Sequence, residues 1–142
     1  MANQERWQRF QPLPDDIGQK LKKLNPFFNE EGVLLVYLFG SLAKGLPGND
    51  IDLAILGGSK PVYRLRERLA EKLGTERIDL IDLESASPLL RFEIISTGCT
   101  LYVADELLHE EFKLYTLHQY RDTAPLRRRQ SEYFKERMAQ RS

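Results

Sequence analysis

Cysteine is nearly absent: Cys99 is the only one in 142 residues, so no internal disulfide can form. It lies in Ser96-Thr97-Gly98-Cys99-Thr100-Leu101 with no second thiol or histidine close by, which reads as packing rather than chemistry. Net charge is absent too. Lys+Arg and Asp+Glu both total 21, which removes any bulk pull towards nucleic acid or anionic lipid and leaves only local patches. No apolar run is long enough to span a bilayer and the N-terminus is not signal-like. A reducing, cytoplasmic setting with no membrane partner is the expectation. There is no internal repeat and no low-complexity segment. His109 and His118 are nine residues apart, not adjacent-turn ligand spacing, and read as surface or partner contacts.

What is present is an ordinary globular composition, 42% hydrophobic and 30% charged, enough for one core but not two. Leu13, Ile17, Leu21, Leu24 and Phe28 recur at steps of three or four and predict one amphipathic helix, with Pro14 in its first turn. Val33 to Phe39 is continuously apolar and predicts a strand buried on both faces. Gly40-Ser41 interrupts it, a short helical turn is expected to Gly45, and Leu46-Pro47-Gly48 turns the chain into a second strand, Asp50 to Leu56. Pro61 opens a helix with Val62, Leu65, Leu69 and Leu73 on one face, stopped by Gly74. Arg77 to Leu83 predicts a third strand. Ser87-Pro88 opens a helix to Gly98, and Thr100 to Val103 a short strand. Asp105 to Tyr120 is again helical, with Leu108, Phe112, Tyr115 and Gln119 on one face, and Leu126 to Arg141 forms a last, basic helix beyond Pro125. The order predicts an α/β (α+β) fold, a small mixed sheet flanked by helices over residues 1–104, then a helical extension over 105–142 that docks a partner.

Asp50 and Asp52 are one residue apart on a predicted strand, so both carboxylates share a face while Ile51 and Leu53 point into the core. Such a pair suits Mg²⁺, a hard ion that takes oxygen ligands and completes its shell with phosphates and water. Upstream, Gly40-Ser41 ends a buried strand and begins a turn, where a missing Cβ and free N–H groups admit phosphate and Ser41 adds a hydroxyl. Lys44 either contacts a phosphate or is solvated. A third carboxylate is expected from Arg77–Leu83. Asp79 is preferred and Asp82 is the alternative, because residues three apart face opposite sides of a regular strand and Asp82, near the end, could instead cap the next segment. Two ions on three carboxylates would favour in-line displacement, one lowering the pKa of an attacking hydroxyl and the other steadying a leaving pyrophosphate. Gly40 to Gly45 is not a Walker loop, since no Gly-Lys-Ser/Thr comes at the required spacing.

The motif Leu38-Phe39-Gly40-Ser41-Leu42-Ala43-Lys44-Gly45, then Asn49-Asp50-Ile51-Asp52-Leu53, resembles the minimal nucleotidyltransferases of the DNA polymerase β superfamily. The resemblance extends through Ile78–Leu83, Ser85–Leu90, Gly98–Tyr102 and Phe112–Asp122 to the MntA-type antitoxins of HEPN/MNT toxin–antitoxin pairs. It implies a polymerase β-like fold, with Gly40 and Ser41 holding the nucleotide and Asp50, Asp52 and Asp79 serving as metal ligands and catalytic residues. Asn49, where the family usually has Ser, joins the nucleotide-binding set because both side chains donate a hydrogen bond. It further implies Mg-ATP as donor and transfer of AMP onto a tyrosine of a HEPN-family ribonuclease toxin, bound in a hetero-oligomer. The eight residues Leu42 to Asn49 are fewer than the family commonly has, and the deletion is expected to shorten the turn at Leu46-Pro47-Gly48.

Two other functions compete with that reading: a non-catalytic module that neutralises a toxin by covering it, and a nucleotidyltransferase for a small molecule. The carboxylates argue against the first, and the short chain against the second. The last helix sets Arg127, Arg128, Arg129, Lys135, Arg137 and Arg141 against Glu132 and Glu136. It is either a solvated basic face or one whose Leu126, Tyr133, Phe134 and Met138 a partner covers. Direct RNA binding is not expected, with few aromatics among the basic residues.

Overall fold

A strand without a polar face must be covered on both sides, and Val33–Phe39, strand β1, is one of the two inner strands of a four-stranded sheet. The structure is a computed structural model describing residues 16–45 and 50–141. Helices α1 (Ile17–Lys22) and α2 (Asn25–Glu30) precede β1, and a 3-10 turn (Leu42–Lys44) succeeds it. Then come β2 (Ile51–Gly57), α3 (Val62–Leu73), β3 (Ile78–Asp82), α4 (Pro88–Thr97), β4 (Cys99–Val103), α5 (Glu106–Asp122) and α6 (Ala124–Arg141). The sheet order is β3-β2-β1-β4, with β1 antiparallel to β2 and β4 and β2 parallel to β3, so the predicted mixed sheet flanked by helices is the one observed.

Alternation along the strands separates two cores. Val36, Ile51, Leu53, Ile55 and Ile78 pack with Leu21, Phe28, Leu65 and Leu69 of α1 to α3 on one face. Leu35, Tyr37 and Ala54 pack with Ile94 of α4 and Phe112 of α5 on the other. Leu34 alone protrudes from β1, at the point where its register with β2 shifts. Glu31, only 3% exposed, ties the start of β1 to α3: its carboxylate lies 2.8 Å from Lys60 Nζ and 2.7 Å from Arg68 Nε, and its carbonyl accepts Ser59 N–H at 2.8 Å. The Lys60 hydrogen bond first, opposed by burial and aided by the Arg68 charge, holds this carboxyl below the ordinary glutamate range.

Three details differ from the expectations drawn from sequence. The single helix expected from Leu13 to Phe28 is two helices, broken between Lys22 and Asn25; Pro26 has no N–H to donate and its ring would meet the Lys22 carbonyl in a continuous helix. Residues 13–15 lie outside those described, as do Leu46, Pro47, Gly48 and Asn49. Helix α6 begins at Ala124, before Pro125, which occupies a first turn where a missing N–H leaves no bond unmade. Helix α5 presents His109 and Thr116 to the core, whereas Tyr115 is 54% exposed. His109 is therefore not a surface residue: its Nε2 and the Tyr37 hydroxyl share a hydrogen bond of 2.5 Å, an anchor that sets the rotation of α5 on the sheet.

Candidate functional site

The pairing directions put the C-terminal end of β1 and the N-terminal ends of β2, β3 and β4 on one edge of the sheet. Ile51 and Leu53 are fully buried on the α1–α3 side, which turns Asp52, and Asp50 just before the strand, to the opposite face. On the parallel neighbour Asp79 stands directly across from Asp52. Strands lie about 4.8 Å apart, so the two side chains are immediate neighbours. Burial first, then the Asp79 and Asp50 charges, with a hydrogen bond to Asp79, push the Asp52 carboxyl above its usual range. Asp52 is half-buried, whereas Asp50 and Asp79 are exposed.

Asp82 is not part of this cluster. It lies across from Ile55, and its Oδ1 accepts the Glu84 N–H at 3.0 Å while its carbonyl accepts the Ala86 N–H at 3.1 Å, so it shapes the turn into α4. Ser87 then caps that helix, accepting the Leu90 N–H at 3.2 Å.

Gly40 comes directly after Phe39, the residue paired with Asp52 across β1 and β2. Its φ is +75° and a Cβ built on it would collide with the Asp52 carboxylate, so only glycine leaves room for both. Ser41, exposed, opens the 3-10 turn, whose Lys44 N–H returns to the Ser41 carbonyl at 3.1 Å. The first amides of such a turn have no acceptor within it. Lys44 ends the turn with its side chain exposed, and Cys99 flanks it from β4, Sγ 3.9 Å from the Ala43 carbonyl. Gly40, Ser41 and the carboxylates of Asp50, Asp52 and Asp79 thus meet at one edge.

Among the described residues no three His, Cys, Asp or Glu side chains are placed so that they could together hold a metal ion. The chemistry of the donors nonetheless fits Mg²⁺: hard oxygen ligands on adjacent strands, one carboxyl raised by burial and by its two like-charged neighbours, and exposed Asp50 and Asp79 open to phosphate oxygens and water. The Tyr37–His109 pair is a link that sequence reasoning missed. A tyrosine inside an otherwise apolar run needs a partner for its hydroxyl, and that need is the signal that could have found it.

Comparison with known proteins bears on the same edge. Protein adenylyltransferase MntA of Shewanella oneidensis is 37% identical over 73 residues, 48% of this chain and 52% of that protein. The chain thus aligns with about half the length of that curated relative. A toxin–antitoxin structure with AMP-PNP matches at a TM-score of 0.66 and 26% identity, covering 83% of this chain and 98% of that one. A structure of tri-AMPylated Shewanella oneidensis HEPN toxin in complex with MNT antitoxin matches at 0.64 and 25%, covering 86% and 98%. The family model described as Polymerase beta, Nucleotidyltransferase matches residues 22–107, from the last residue of α1 to the start of α5 with every carboxylate of the cluster, and the chain belongs to that family.

Proposed function

We propose that this chain is the antitoxin of a toxin–antitoxin pair, a protein adenylyltransferase that moves AMP from Mg-ATP onto a hydroxyl, that of a tyrosine, of a HEPN-family toxin. The observation that carries the reading is the Asp52–Asp79 rung beside Gly40-Ser41, a carboxylate cluster next to an anion-receptive turn. The relatives support the donor and acceptor: one is named an adenylyltransferase, one structure holds AMP-PNP, and one holds an AMPylated toxin.

Asp50, Asp52 and Asp79 would hold Mg²⁺, which supplies charge neutralisation of the phosphates and acidifies the attacking hydroxyl. Gly40 gives the phosphates access to backbone amides, and Ser41 donates its hydroxyl. Lys44 and Asn49 complete the nucleotide contacts. Asp79, exposed on the outer strand, accepts the proton of the incoming hydroxyl. The hydroxyl oxygen bonds to the α-phosphorus, the bridge to the β-phosphate breaks, and pyrophosphate departs. The product carries a bulky anionic group, enough to block an RNA-cleaving site by repulsion and volume. The reaction belongs in the cytoplasm, where ATP is available; among the described residues no helix is long and apolar enough to cross a membrane.

The test incubates the purified protein with labelled ATP, Mg²⁺ and the protein encoded beside it. Label appears on the neighbour and disappears with a chelator or in the Asp50→Asn/Asp52→Asn double variant. Transfer that persists in the double variant overturns the carboxylate assignment. Stable complex formation without label would instead make the chain a covering antitoxin.

A further inference from the structure

Among the described residues, the side-chain clamp that ties helix α6 to the rest of the fold lies at its N-terminal end. Arg127 lies 3.9 Å over the Tyr120 ring, whose other neighbour is Phe92 of α4, stacked at 3.9 Å. The same guanidinium donates to the Tyr120 carbonyl at 2.8 Å and to the Thr123 hydroxyl. That clamp fixes the direction in which the helix leaves α4 and α5. From Arg128 to Gln140 every residue is exposed, including Tyr133 at 58%, Phe134 at 67% and Met138 at 64%. At about 100° per residue these three and Leu126 fall in one sector about 140° wide. In proteins most helical stability comes from packing of one face, and among the described residues the exposed body of α6 buries little of its own.

We infer that this face of α6 is the surface by which the chain holds its protein substrate, and that the occupant is the toxin of the proposed function, offering an apolar groove with an acidic rim. Charge argues for such a partner. Residues 124–141 carry six of the 21 basic residues but two of the 21 acidic ones, leaving 15 basic against 19 acidic elsewhere. Exposed Arg137 falls inside that sector, and exposed Arg129 and Lys135 lie about 40–60° beyond its two edges, which places positive charge among and beside the apolar side chains. The similar solved chains come from complexes with a toxin, which favours a toxin over a second copy as occupant. Glu132 and Glu136, interspersed with the cations, weaken the helix as an RNA ligand. Within the segment 105–142 expected to dock a partner, α5 packs His109, Phe112 and Thr116 against the sheet and exposes Leu107, Leu114 and Tyr115, so α6 extends an exposed surface that α5 begins.

This inference rests on the proposed transfer, and the test separates the two. Full-length Tyr133→Ser/Phe134→Ser/Met138→Ser and, separately, Arg129→Glu/Lys135→Glu/Arg137→Glu are titrated with the purified neighbouring protein, measuring binding and AMP-transfer kinetics. Both variants should weaken binding at least tenfold and raise the KM for the partner, leaving the affinity for a fluorescent ATP analogue and kcat at saturating partner within twofold. Unchanged partner affinity in the apolar variant overturns the inference and leaves the transfer intact. Binding lost without any transfer by the parent chain upholds the surface and overturns the enzyme. A concentration-dependent homodimer, or an oligoribonucleotide complex, abolished by the apolar variant would overturn the toxin as occupant, as would a parent chain that does not bind it.

Discussion

Replacing Gly40 by Ala places a methyl group against the Asp52 carboxylate and forces a side chain into φ +75°. The left-handed backbone alone costs about 1–2 kcal/mol, and the displaced carboxylate should lower AMP transfer on the order of 10²-fold or more. Denaturant unfolding and single-turnover transfer read the two effects separately. Asp52→Asn acts in the opposite sense on stability. A carboxyl raised by burial and by two like charges opposes folding in its ionised form, so its removal should raise Tm in metal-free buffer while abolishing transfer. A lower Tm would mean that Asp52 is held by contacts that stabilise it. Both outcomes were partly legible in advance, because the Asp-x-Asp spacing and the Gly-Ser break are local patterns. The choice of Asp79 over Asp82 rested on Asp82 lying near the strand's end, where it could cap the next segment, and the Glu84 and Ala86 amides that it accepts are of that kind.

At the scale of elements, two buried polar links join the helices to the sheet, and each predicts a pH range. Glu31 joins α2 and β1 to Lys60 and Arg68. Its folded carboxyl lies below the ordinary value of 4.5, so its stabilisation is complete above that value and fades as pH falls through the depressed one. Glu31→Gln should cost about 1–2 kcal/mol at pH 7, discounted because both partners are partly exposed, and should flatten stability against pH in acid. Tyr37 behaves inversely: burial pushes its hydroxyl up to about 12, so it keeps its proton while an unfolded tyrosine ionises near 10. Its contribution is complete below 10 and is lost as pH rises to about 12. Tyr37→Phe should remove that alkaline loss and leave the buried His109 without its partner, at about 1–3 kcal/mol. Thermal melts across both ranges decide these points. Periodicity gave the strands and helices within a residue or two, but the α1–α2 break came from one proline and the rotation of α5 from one hydrogen bond between residues 72 apart, neither of which a periodic pattern encodes.

At the scale of the molecule, the same backbone arrangement that gathers the carboxylates also fills the core. Asp52 and Asp79 share one rung of a parallel pair, reached through the crossover helix α3, while Ile51 and Ile78 share the rung before it on the other face. A slip of one position in β3 would therefore expel Ile78 and drive Asp79 inward, costing the fold as well as the spacing. Mis-set carboxylates and misfolding are the same event, so a chain that passes the folding step arrives with its acids already aligned. Length changes in the loops on either side of α3 leave that alignment untouched, which makes those loops the natural places for relatives to diverge.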